Sequence, residues 1–122
     1  MATGTINAPG IVDLPITWVS NTYVTETNMQ YIKAYKRNGI LHLVCDIRIA
    51  GGSAATSDWV TIGTISGWHT TDINYTTIPT RTTTTNPLAV RVNDDGTLRI
   101  QLAASVSSQT LYRGEVNAIA DD

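Results

Sequence analysis

An antiparallel β-sandwich, jelly-roll-like and made of about seven to nine short strands with little or no helix, is the fold class this sequence predicts. Three observations predict it. Apolar and polar residues alternate by two in several short runs, and no run keeps a helical period. Turn residues punctuate those runs, most clearly at Asn38-Gly39 and Asp94-Asp95-Gly96. Thr, Val and Ile are heavily used while Phe is absent, which favours the pleated chain over the helix.

The stretch from Tyr31 to Ile49 organises the rest. Asn-Gly is the strongest short hairpin signal, because a type I′ turn needs positive φ at both central residues. Counting outward from Asn38-Gly39 pairs Arg37 with Ile40, Lys36 with Leu41, Tyr35 with His42, Ala34 with Leu43, Lys33 with Val44, Ile32 with Cys45 and Tyr31 with Asp46. Opposed residues share a face. Ile32, Ala34, Leu41, Leu43, Cys45, Ile47 and Ile49 then form a core face, and the other face is half aromatic and half charged.

Before the hairpin, residues 1–14 hold two glycines and a proline without a steady period and are expected to be an extended lead-in, followed by one domain over residues 15–122. Pro15 to Asn21 predicts a short strand with Ile16 and Trp18 on one side, and Tyr23 to Asn28 a connection or a second short strand. After the hairpin, the small residues Ala50 to Ser57 predict a loop, and Asp58 to Ile65 a strand with Val60, Ile62 and Thr64 sharing a side. Gly63 inside it hints at a bulge or a close backbone approach. Ser66 to Asn86 is the longest aperiodic stretch, with a short strand expected within Ile73 to Ile78 and an extended edge segment at Thr82 to Thr85. Leu88, Val90 and Val92 face inward on the next strand. Asp94-Asp95-Gly96 then turns the chain into Leu98, Ile100 and Leu102, and Thr110 to Ile119 forms the last strand with Tyr112, Gly114, Val116 and Ala118 on one side.

At 122 residues the chain is long enough to bury roughly two-thirds of its unfolded surface. A net charge of -2 argues against nucleic acid as a partner. No apolar run is long enough for membrane insertion, and with no charged-then-apolar run at the start no signal peptide is expected. The single cysteine excludes an internal disulfide framework.

Chemistry-bearing motifs are sparse. His42 and His69 lie on different elements without metal-ligand spacing, so neither a metal nor any other cofactor is expected. Cys45 falls on the apolar face and is expected to be a small buried hydrophobe. No G-x-S-x-G elbow appears, and the carboxylate pairs Asp46 with Asp58 or Asp72 with Glu115 have no favouring spacing, so no residue is assigned as catalytic. Trp59, Trp68, His69, Asp72, Tyr75 and Arg81 stand out as a candidate ligand site, since aromatic faces stack on sugar rings and short polar side chains address hydroxyls. The competing reading is that the tryptophans cap the sandwich. Tyr31, Lys33, Tyr35, His42 and Val44, on the outer face of the hairpin, are the candidate subunit interface.

Trp59 to Ile65 (W-V-T-I-G-T-I), the Ile78-Pro79 loop, the strand Pro87 to Asn93 and Asp94 to Ile100 (D-D-G-T-L-R-I) together resemble the C-terminal receptor-binding head domains of bacteriophage tail-fibre and baseplate proteins. The departure is at Ile65-Ser66-Gly67, where Leu-Pro is more usual. The resemblance implies a non-enzymatic, homotrimeric β-sandwich head that binds host-surface polysaccharide or protein. It further implies contacts with other tail or baseplate proteins, and a place in the virion after assembly in the bacterial cytoplasm. A purely structural role in tail assembly is the alternative, and a carbohydrate-active enzyme a more distant one.

Overall fold

The computed structural model describes residues 10–80 and 86–121, with Tyr75 by its backbone alone. Among them, nine strands form two antiparallel sheets, and the one helical element is a 3-10 turn, Thr27–Tyr31. The strands are β1 Ile11–Leu14, β2 Ile16–Trp18, β3 Lys33–Arg37, β4 Ile40–Ile49, β5 Val60–Ile65, β6 Asn74–Ile78, β7 Leu88–Val92, β8 Thr97–Leu102 and β9 Thr110–Ile119. One sheet runs β1-β3-β4-β9 and the other β2-β5-β8-β7-β6. In the five-stranded sheet β6, β7 and β8 form a meander and β5 returns beside β8, a Greek-key arrangement whose long connection is residues 66–73.

The organising turn forms as its chemistry requires. Asn38 and Gly39 have φ of 52° and 76°, and the ladder pairs Arg37 with Ile40 through Lys33 with Val44. The two outermost expected pairs do not form. Tyr31 ends the 3-10 turn and β3 starts at Lys33, because Thr25–Asn28 closes a hydrogen-bonded turn that drives Met29 into the core. Ile32 is buried nonetheless, with the six other expected core residues of the hairpin.

Three further differences have local causes. The last four residues of the expected lead-in are a strand, paired with β3 from Ile11 with Arg37 to Leu14 with Ala34, so the four-stranded sheet begins before Pro15. In β5 the ladder slips between Thr61 and Gly63, and Ile62 and Gly63 together oppose Leu98. The bulge turns Ile65 inward and leaves Thr64 exposed, the reverse of the simple alternation. It sits where Gly63 is crowded, since a Cβ there would lie 2.9 Å from Met29 Cε and 3.1 Å from the Thr17 carbonyl oxygen. The segment Thr82 to Thr85 lies outside the described residues.

The core is the contact between the two inner faces. Leu41, Leu43, Ile47 and Ile49 come from one sheet, and Ile62, Leu88, Val90, Val92, Leu98 and Ile100 from the other, all without measurable exposure. At about 25 cal/mol per Å² of apolar surface removed from water, this layer is the main stabilising term. In the β7–β8 turn, Gly96 takes φ 91° and donates its amide to the Asn93 carbonyl at 3.0 Å, while Asn93 donates to Thr97 at 2.9 Å. Any side chain at Gly96 would also run into the Ile65 carbonyl.

Candidate functional site

The expected ligand cluster is divided by the fold. Trp59 and His69 stand beyond opposite ends of β5, a six-residue strand about 20 Å long. Trp59 is half-buried beside the outer face of the five-stranded sheet, with the Arg91 guanidinium 5.6 Å from its ring centroid. Trp68 has no exposed surface at all. It closes the end of the sandwich beside Gly96 and cannot stack on a ligand, so its place in the ligand set is corrected to the core. His69 and Asp72 are exposed at that same end, where the His69 carbonyl accepts the Asp121 amide at 3.1 Å. Tyr75 is opposite Arg91 by backbone register. Arg81 lies outside the described residues.

Asp72 does border an open groove of about 640 Å³, between Thr70–Asn74 and the end of β9. Thr70, Thr71, Asn74, Asn117 and Asp121 give it a polar lining, and Ile119, 74% exposed, stands at its edge. Asn74 Oδ1 is shielded from water there, without a hydrogen-bond partner among the described residues. A second groove, about 740 Å³, opens between β1, β2 and the 3-10 turn, with Leu14, Ile16, Met29 and Ile32 below and Asp13, Glu26 and Lys33 at the rim. Sequence periodicity carries no sign of it, because its walls come from four separate elements, β3 being the fourth.

The candidate interface residues, by contrast, do lie together on the outer face of the four-stranded sheet. Strand register places Asp13, Tyr35, His42 and Asn117 in one row and Lys33, Val44 and Glu115 in the next. The rings of Tyr35 and His42 stack with centroids 4.6 Å apart and planes 13° from parallel. His42 Nδ1 lies 2.9 Å from Glu115 Oε2. With its amide turned to suit its neighbours, Asn117 donates to Glu115 Oε2 at 2.7 Å and reaches His42 Nδ1 at 2.9 Å. The imidazole nitrogen can donate to Glu115 or accept from Asn117, and the tautomer selects which. Further along, Arg113 donates to Asp46 Oδ2 at 3.1 Å, and the Arg48 guanidinium lies 3.4 Å from the Tyr31 ring centroid. Arg48 and Asp46 form an ion pair at 3.6 Å, too long for a hydrogen bond. Val44, 40% exposed, and Tyr31, 36%, supply the apolar area among these charges.

Arg91 and Arg99 were not among the expected site residues, yet they are direct partners across β7 and β8 on the outer face of the five-stranded sheet. The signal was available. Counting outward from the Asp94-Asp95-Gly96 turn, as from Asn38-Gly39, pairs Asn93 with Thr97 and then Arg91 with Arg99. Among the described residues no three His, Cys, Asp or Glu side chains are grouped to hold a metal ion. Cys45 is buried, and burial, with the Glu115 charge adding, pushes its thiol up to about 12, a neutral group unsuited to nucleophilic attack. No protein-family model matches the chain, and no curated protein is significantly similar to it.

Proposed function

We propose that this chain is a non-enzymatic adhesion module of the bacteriophage tail-fibre or baseplate kind, trimeric through the outer face of its four-stranded sheet and binding host-surface polysaccharide or protein. The observation that carries the reading is the convergence of Tyr31, Lys33, Tyr35, His42 and Val44 on that one face. Aromatic and aliphatic area ringed by charge is the composition of a subunit contact. Association leaves the opposite sheet facing outward, three copies to each particle. Weak sites repeated in this way gain strength by avidity without any new contact.

Light scattering of the full chain combined with sedimentation against a panel of bacterial cells tests the proposal. A trimer that co-sediments with some cells supports it. A trimer that binds none favours the assembly role, and a monomer removes the interface assignment.

A further inference from the structure

Across the outer face of the five-stranded sheet, one row of backbone partners reads Thr61, Arg99, Arg91, Tyr75. Two guanidinium groups are thus held on the same face at directly opposed positions, an arrangement that costs stability when nothing negative lies between them. The strands of the sheet supply nothing negative. The strands of this sheet, I-T-W, V-T-I-G-T-I, N-Y-T-T-I, L-A-V-R-V and T-L-R-I-Q-L, contain both arginines and no carboxylate. On the other sheet, Arg48 and Arg113 share Asp46. Among the described residues, neither Arg91 nor Arg99 has a carboxylate within ion-pair distance. Asp95, in the adjoining turn, is held below the usual carboxylate range chiefly by the hydroxyl and amide of Thr97, with Arg99 the smallest influence.

The remaining hydrogen bonds leave the outward nitrogens available. Arg91 commits its Nε to Asn93 Oδ1 at 3.1 Å. Arg99 Nε is shielded from water and has no hydrogen-bond partner among the described residues, so a ligand would meet the Nη groups of both side chains. Trp59 flanks them, 5.6 Å from Arg91. Guanidinium forks match the planar carboxylate, and an indole face matches the apolar face of a pyranose ring.

We propose that this face binds an acidic polysaccharide through a sugar carboxylate, which bridges Arg91 and Arg99 while the ring that bears it rests against Trp59. The inference rests on the adhesion reading and supplies the ligand class that reading leaves open. A carboxylate carried on the sugar ring itself fits an indole beside the arginines better than a phosphate linking two sugars.

Calorimetric titration of the full chain with oligogalacturonate and oligosialic acid, with the methyl ester of the former and with oligophosphate, tests it. At least one acidic sugar binds, and esterification or the double change R91Q/R99Q weakens that binding at least about tenfold. W59A weakens it likewise, and R37Q, which removes a distant charge, leaves it unchanged. Binding of neither acidic sugar overturns the proposal, as does equal binding of the ester or of oligophosphate, or indifference to R91Q/R99Q. The ester titration uses the unaltered protein, so its outcome is independent of whether the variants fold. Cell adhesion that persists in R91Q/R99Q overturns this site and leaves the adhesion reading standing. Acidic-sugar binding by a chain that adheres to no cell does the reverse.

Discussion

The Ile78 side chain occupies the space that a Cβ on Gly114 would take, so the edge strand of one sheet rests on the edge strand of the other. A backbone bridge between Thr80 and Tyr112 continues the contact. Ile78 is 2% exposed, so it has nowhere to move. Gly114→Ala is therefore expected to destabilise the fold by about 1–3 kcal/mol, the usual cost of overpacking. Urea denaturation measures it, and if the clash is the cause, Ile78→Ala, which removes the clashing Cγ2, costs less in the Gly114→Ala background than on its own.

Trp68→Ala is expected to cost about 3–5 kcal/mol, since it empties a wholly buried site at the end of the core. Trp68→Phe costs less, because the indole Nε1 has no hydrogen-bond partner among the described residues to lose. Thermal melts rank the two. In Trp68→Phe, ligand binding stays at the unaltered level, which separates a packing role from a stacking one.

Val44→Asp places a charge at the exposed centre of the proposed subunit contact. The isolated fold loses about 1–2 kcal/mol, because Asp suits a strand poorly and Glu115 is its direct cross-strand partner, and it still forms. Three copies brought together do not tolerate the charge, so light scattering is expected to move from trimer toward monomer.

The Cys45 thiol gives stability a dependence on alkaline pH. Burial raises it from 9.0 to about 12 in the native state. Below pH 9 both folded and unfolded chains keep the proton and the contribution is full. Between 9 and 12 only the unfolded chain releases it, so stability falls as pH rises, by at most about 4 kcal/mol. Burial moves Tyr112 upward as well, which adds in the same direction above pH 10.0. Urea midpoints at pH 8 and 10.5 measure the fall, and Cys45→Ala flattens it. Iodoacetamide at pH 8 labels the unfolded chain and spares the native one.

What the sequence made legible was what local chemistry decides. Asn38-Gly39 sets its own φ angles, and with them the parity of every residue from Lys33 to Ile49, so the buried and exposed faces of that hairpin could be read directly. Gly63 announced an irregularity, but not the crowding around it, which Met29, Thr17 and Ile16 supply from far away in the chain. β1 was hidden because a four-residue strand beside glycines and a proline has too few turns of its period to register, and its partner β3 does the selecting. The ligand cluster failed for a different reason. Trp59, Trp68 and His69 are near in sequence, and a strand between them converts that nearness into separation. Trp68 belongs to the aperiodic connection, where only the finished sandwich decides that a large ring is needed as a plug.

Pro15 is the single residue between β1 and β2, which belong to different sheets, and its carbonyl also accepts the Ser66 amide at 2.8 Å. One short length of chain is thus stitched to both halves of the molecule. Fraying of β1 pulls on β2 before it can spread anywhere else. The amides of Val12 and Thr17 should therefore exchange with deuterium as one cooperative unit, opening ahead of the central strands and together with each other.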